Sequence, residues 1–364
     1  MGASVLAAVM TGPGKTELRE YPFPAMCKDD GLLRVETCGV SQTDSDLFRR
    51  GDLAPAILGH EIVGTVERVG SAAAAHWQVK EGDRVIVQEY VPCGECDWCA
   101  QGEYRLCARA QVTAPNALRL GMTGVDVTPG LWGGFAQYLY LHPRCVVHRV
   151  PDAATDSLAI LTLPIANGVQ WAAIEGEISS GHAVLIFGGG LLGLAAVRAA
   201  LAAGASTVIL CGLAREGERL ALGKPFGANF TFNADEEGLE DNILAATDRR
   251  GADVIVDTTD DTSGRVAATA IKSAAIGARL VLGGIGLVPL HLGEIRRKYL
   301  TIKPVRGHST VAVNRALEIL ENDAELFHSL SCALHPLSET AMAIRAGDFD
   351  ASPGIIKAGV RPWM

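Results

Sequence analysis

The sequence predicts an α/β protein of two domains, a β-barrel-like domain of short strands and a doubly wound domain around a parallel sheet. Three observations carry that expectation. Alternating, glycine-punctuated strands fill roughly residues 30–150; at Pro151 the texture changes to Ala- and Leu-rich helical periods alternating with compact β-branched runs; and a glycine turn, Gly188 to Gly193, sits between one such run and a helix. At 364 residues the length suits two domains, and 48% hydrophobic residues supply two cores.

The elements follow in order. The apolar start, Met1 to Met10, has no Lys or Arg before it and soon meets Gly12, Pro13 and Gly14, so it reads as a first strand and not an export signal. The barrel strands are expected at Leu32–Thr37, Glu61–Val69, Asp83–Gln88 and within Phe135–Val150. Six parallel strands are expected at Ala183–Phe187, Thr207–Cys211, Asn229–Phe232, Asp253–Val256, Arg279–Gly283 and Leu300–Val305. The final stretch, Val311–Met364, carries an amphipathic helix at Val313–Asn322 and is expected to return to the first domain. This places one domain at 1–154 with 306–364, and the other at 155–305. The longest apolar stretch, Val184–Ala205, is broken by glycines and Arg198, so no membrane span is expected. A net charge of −9 argues against a nucleic-acid partner, since a phosphate backbone is bound by a basic surface. A soluble, cytoplasmic enzyme acting on a small molecule fits these bounds.

The densest chemical signal is the run Pro-Cys93-Gly-Glu-Cys96-Asp-Trp-Cys99-Ala-Gln-Gly-Glu-Tyr-Arg-Leu-Cys107 over residues 92–107. Four thiolates at this spacing can wrap one tetrahedral ion, and a Zn²⁺ so enclosed has no open position for substrate; it orders a loop. Disulfides would need an oxidising compartment, and nine cysteines, with Cys27, Cys38, Cys145, Cys211 and Cys332 scattered singly, fit reduced cytosol better. An iron–sulfur cluster is the competing occupant, because spacing alone does not fix the metal.

The turn Val-Leu-Ile-Phe-Gly188-Gly-Gly190-Leu191-Leu192-Gly193 follows a strand and opens an Ala-rich helix. In that frame Gly188 permits the tight turn, Gly190 lets a pyrophosphate approach, Gly193 allows close packing, and the helix N-terminus supplies N–H donors. An NAD site normally adds an acid at the tip of the second strand. Here Cys211 is followed by Gly212 and, three residues on, Arg215, so NADP(H) is favoured over NAD(H): Gly212 leaves room for a 2′-phosphate that Arg215 could meet. Arg215 could equally belong to a solvated turn, with Glu216 or Glu218 reaching a ribose.

With the quartet, the turn and the segment Gly59-His60-Glu61-Ile-Val-Gly64 through Gly70 in order, the chain resembles the zinc-containing alcohol dehydrogenases of the medium-chain dehydrogenase/reductase superfamily over almost its whole length. The resemblance implies a GroES-like catalytic domain, a Rossmann domain, a substrate cleft between them, and a homodimer or homotetramer formed through the Rossmann sheet edge. It also implies a catalytic zinc on three protein ligands, and there the pattern departs. The Gly-x-Cys-x-Thr/Ser-Asp motif reads Gly39-Val-Ser41-Gln-Thr43-Asp44, and the third ligand position falls on Leu163, leaving only His60, with Glu61 beside it. One histidine and a neutral hydroxyl cannot replace the usual set, so no catalytic metal is expected. Cys38 could still ligate after a register shift, with Glu61 and Asp44, or be a buried strand residue; His60 and Asp44 could form only a structural pair. By the resemblance Thr43 holds the position of the proton-passing hydroxyl, and Asp46 that of an outer relay group; either could merely stabilise a turn.

Without a Lewis acid, charge developing on a carbonyl oxygen must be met by hydrogen bonds, so an electron-poor acceptor is favoured. The sequence therefore leads to hydride transfer from NADPH to an activated C=C or C=N group, protonated by Thr43 or by a water held by His60 and Asp44. Alcohol/carbonyl interconversion is the alternative, and a catalytically silent dinucleotide-binding protein a third. The segment Gln111–Trp132 is expected near the cleft, with Trp132 as a pocket wall or simply core.

Overall fold

A computed structural model of the chain describes residues 4–151, 154, 156–284, 290, 292–348, 352 and 354–364. The chain divides into two compact units, Met1–Leu163 with Leu320–Met364, and Pro164–Ile319, so the divisions fall later than the 155 and 305 expected.

The first unit begins with β1 (Ser4–Gly12), β2 (Lys15–Pro22), β3 (Gly31–Gly39), β4 (Ala56–Ile57), β5 (Glu61–Val69), β6 (Arg84–Val87), β7 (Tyr138–Leu141) and β8 (Val147–Arg149). The second contributes β9 (Ala183–Phe187), β10 (Thr207–Gly212), β11 (Phe230–Asn233), β12 (Ala252–Asp257), β13 (Ala274–Leu282) and β14 (Thr301–Pro304). The chain returns to the first unit with β15 (Cys332–Pro336) and β16 (Lys357–Arg361).

In the first unit β2-β1-β4 form one antiparallel sheet, and β15-β16-β3-β5-β6-β8, with β7 on β3, form another. Val5 and Val9 of β1, Val35 of β3, Ile62 and Val66 of β5 and Val85 of β6 fill the core with Phe135. Trp132 is part of that core: it is 2% exposed, its indole N–H donates to the Val127 carbonyl at 2.8 Å, and Tyr140 meets it edge-on. It is not a pocket wall. The return predicted from the tail is realised as a strand, since Val360 of β16 lies opposite Cys38 of β3.

In the second unit all six strands are parallel, in the order β11-β10-β9-β12-β13-β14. Renumbered from β9 this is 3-2-1-4-5-6, the doubly wound order in which a dinucleotide binds outside the carboxyl ends of the strands where the order reverses. Leu185, Ile209, Ile255 and Leu280, one from each central strand, share a fully dry core. The tail helix spans Thr310–Asn322, starting three residues before the expected Val313. Among the described residues no helix is long and apolar enough to cross a membrane.

Candidate active site

The glycine turn is built as its sequence requires. Gly188 has φ +113°, which a side chain would strain, and its N–H donates to the Cys211 carbonyl at 2.8 Å, tying the end of β9 to β10. A Cβ on Gly193 would overlap the Gly188 carbonyl oxygen, so the helix Leu191–Ala202 can approach the turn only with glycine there. Around Gly190 nothing lies within 4 Å of where a Cβ would stand, which leaves the approach to the helix N-terminus open to a phosphate. Leu191 is buried and Leu192 half-buried beside it.

At the tip of β10, Gly212 is buried and Arg215 exposed. Glu216 folds back: its Oε2 accepts the Leu213 N–H at 2.7 Å and lies 3.3 Å from the position a Gly212 side chain would take. The acid thus stands near the strand tip but is engaged in capping the turn. Glu218 is exposed. Arg219 is buried; burial lowers its pKa while Glu216 raises it. Both arginines stand in one Arg-Glu-Gly-Glu-Arg phrase, whose charges alone do not reveal that Arg219 is the one to pack inward.

The four cysteines converge. Their Sγ atoms all lie within 4.8 Å of one another, with Cys93–Cys99 at 3.7 Å and Cys96–Cys99 at 3.5 Å. A tetrahedron with Zn–S bonds of about 2.3 Å has edges of about 3.8 Å, so the set fits zinc. All nine cysteines are free thiols, none disulfide-bonded. The backbone N–H of Glu95 draws the Cys93 thiol down to about 6, whereas burial pushes Cys99 up to about 12. Four sulfurs at this separation become compatible as thiolates only around a cation. Among the described residues no other set of three or more His, Cys, Asp or Glu brings ligand atoms together in this way.

The second chemical corner lies in the first unit, where the helix Gln42–Arg50 starts beside β3 and β5. Ser41 is its N-cap: its hydroxyl accepts the Asp44 N–H at 3.1 Å and donates to Asp44 Oδ2 at 2.7 Å, while its own N–H donates to Oδ2 at 2.9 Å. Ser41 therefore serves the helix start. Asp44 is fully buried, and its other oxygen accepts the Gly59 N–H at 2.9 Å and faces His60 Nδ1 at 3.5 Å. Burial alone would raise Asp44, but His60 and Ser41 hold its carboxyl below the usual carboxylate range. Burial likewise pushes His60 down, yet Asp44, Glu89 and Glu61 overcome it and raise the imidazole to about 9. Glu61 is buried in a tight ion pair with Lys357, whose ammonium also donates to the Val40 carbonyl at 2.8 Å. Cys38 is buried opposite Ile62, just past an irregularity of the β3–β5 register between Val35 and Thr37, and burial, then Asp44 and Glu61, raise its pKa well above the ordinary thiol value. Leu163 is buried and apolar. Thr43 is exposed on the first turn of the helix, while Asp46 accepts from Gln42 and Arg49 on its surface.

Residues 28–152 match the alcohol dehydrogenase GroES-like domain family and residues 192–322 the zinc-binding dehydrogenase family. A Mycobacterium tuberculosis H37Rv protein named "Probable alcohol dehydrogenase adh" is 35% identical over 366 residues, covering 97% of this chain and 98% of that protein. The chain belongs to the zinc-type medium-chain dehydrogenase/reductase superfamily. Sorbitol dehydrogenase of Bacillus subtilis is 33% identical over 287 residues, 77% of this chain and 74% of that protein. Alcohol dehydrogenase of Thermotoga maritima superposes with a TM-score of 0.85 at 25% identity, covering 99% of this chain and 100% of that one. A Sinorhizobium meliloti 1021 protein described as a zinc-binding dehydrogenase and bound to NADP gives 0.83 at 25% identity, covering 99% and 100%.

As a member of this superfamily the protein is an oxidoreductase of mixed α/β fold, with a GroES-like domain and a Rossmann-like parallel sheet. Zinc and a nicotinamide dinucleotide both fit the family and the residues described. Within this medium-chain dehydrogenase/reductase, two pairs leave no mark in the local sequence: Lys357 on Glu61, and the buried Arg119 that forms a tight ion pair with Glu89 and stacks over Tyr90. No short pattern ties such distant residues; an isolated Lys in a late strand is the only trace.

Proposed function

We propose that this oxidoreductase transfers hydride from NADPH to an electron-poor C=C or C=N acceptor, with no metal at the reacting centre. The observation that carries the reading is the donor set around His60. Ser41 is engaged as a helix cap, Leu163 offers no donor and Cys38 is a buried thiol, so His60 keeps only the carboxylates Asp44 and Glu61 beside it, one bound to Ser41 and Gly59 and the other paired with Lys357. The nicotinamide supplies the hydride when bound. The chain's own contribution is the proton and the charge: a cationic His60, held against buried Asp44, presents a donor to the developing anion directly or through water, and the exposed Thr43 hydroxyl offers a second route. Gly188, Gly190 and Gly193 with Leu191 and Leu192 would cradle the pyrophosphate; Arg215, exposed three residues beyond Gly212, would meet a 2′-phosphate, the nearby Glu216 being engaged in capping the turn. Cys93, Cys96, Cys99 and Cys107 would hold a structural zinc, one per chain. A homodimer or homotetramer is part of the same proposal.

Alcohol/carbonyl interconversion is the second reading, favoured by the dehydrogenase names of the relatives. NADPH oxidation measured against enals, enones, quinones and imines, beside simple aldehydes and ketones, separates the two. Turnover of the conjugated acceptors at least tenfold faster supports the first; a preference for unactivated carbonyls supports the second.

A further inference from the structure

In the parallel-sheet unit a second polar cluster lies apart from the glycine turn, the cysteine lobe and the His60 corner. From Leu158 to Ala172 each residue is buried except Asn167, which is half-exposed. Just beyond it the helix widens into a π-helix, Val169–Glu175, a form frequent at functional sites. This segment grips three consecutive residues that follow β14. Asn167 Oδ1 stands 2.9 Å from Nδ1 of His308, itself 4% exposed; Gln170 Oε1 accepts from the Ser309 N–H at 3.0 Å and its hydroxyl at 2.7 Å; and the Trp171 indole donates to the Gly307 carbonyl at 3.1 Å.

The cluster is placed at the carboxyl edge of the sheet. The Trp171 ring lies directly against Gly283, the residue after β13, whose N–H donates to the Asp257 carbonyl at the end of β12 at 3.0 Å. Gly168, next to Asn167, packs on the first turns of the helix that opens from the glycine turn: a Cβ there would stand 2.6 Å from that of Ala195. The glycine turn and β10 serve one half of a dinucleotide; the ends of β12, β13 and β14 form the other half of the crevice. With Oδ1 accepting, His308 Nδ1 carries the proton and Asn167 is locked with its amide N–H₂ as the group left to donate.

We infer that Asn167, oriented by His308, is a cofactor-positioning residue that hydrogen-bonds the nicotinamide riboside half of the dinucleotide. The inference rests on the dinucleotide reading above. The test titrates parent, Asn167→Asp and His308→Gln proteins with NADPH and NADH, and with ADP and adenosine 2′,5′-bisphosphate, which lack the nicotinamide riboside. Asn167→Asp keeps the shape and the acceptor for His308 but removes the donor. The expected result is an approximately tenfold rise in the dinucleotide dissociation constant, the cost of one polar contact, with the adenosine probes within about twofold of the parent. His308→Gln should shift the same constant in the same direction. Unchanged dinucleotide binding, or parallel loss of the adenosine probes, overturns the assignment. A parent protein that binds none of the four overturns the dinucleotide reading itself, and the assignment with it.

Discussion

His60 shows how one residue changes meaning when its neighbours change. Its Nδ1 faces Asp44 and its field includes Glu61 and Glu89, while Lys357 balances Glu61 and Arg119 balances Glu89. In the proposed function a proton replaces the positive charge a metal would bring. Since the imidazole is raised to about 9 from 6.5, the stability it contributes is complete below about pH 6.5 and is lost as pH climbs through 9. Urea unfolding of the parent should therefore lose roughly 2 to 3 kcal/mol between these limits. His60→Gln, with no proton to lose, should show a flatter profile over the same window, and identical profiles would deny the charged imidazole. Arg215 bears the other prediction at this scale. Replacing it with Ala should remove most of a preference for NADPH over NADH, about 10- to 100-fold if a charge-assisted pair is lost. Equal dissociation constants in the parent would instead place Arg215 in a solvated turn and give Glu216, near Gly212, the larger say.

At the scale of elements, what could be read from the sequence followed local periodicity. Glu61–Val69 and Ala183–Phe187 have the expected bounds because their apolar patterns begin and end at sharp breaks. β2, Lys-Thr-Glu-Leu-Arg-Glu-Tyr-Pro, is a strand the pattern hid, since it is an edge with no buried position and with Lys15, Glu17 and Glu20 exposed. β15 and β16 were hidden for another reason: they pair in parallel and reach β3 across most of the chain, which no local window contains. The cysteine lobe is the clearest element of all, because ligand spacing is itself local. Cys96→Ser should lower its thermal midpoint by about 10 °C or more and reduce bound zinc in step, as a closed four-thiolate site contributes to folding. Dinucleotide binding should persist in whatever fraction stays folded. A fully stable, zinc-free variant would end the structural-zinc reading.

For the whole molecule, the parallel sheet, the glycine turn and the cysteine lobe are legible in local sequence patterns, whereas the polar pairs that tune the site are not. Asn167 and His308 lie 141 residues apart, and Lys357 bonds Val40 across 317. Only the fold brings them together, and in the proposed function it does so around a family scaffold whose metal-binding corner has been rebuilt. In that reading the departure from the superfamily lies at Ser41 and Leu163, while the charges of Asp44, Glu61 and Glu89 are met by His60, Lys357 and Arg119. Balanced side chains would then stand in place of a catalytic ion, and metal stoichiometry decides it. Elemental analysis of protein purified without chelator, repeated after incubation with zinc and desalting, should return one zinc per chain both times, lost in Cys96→Ser and retained in His60→Gln. Two tightly held zincs, one of them released by His60→Gln, would contradict the account and assign the chain to metal-assisted alcohol/carbonyl chemistry.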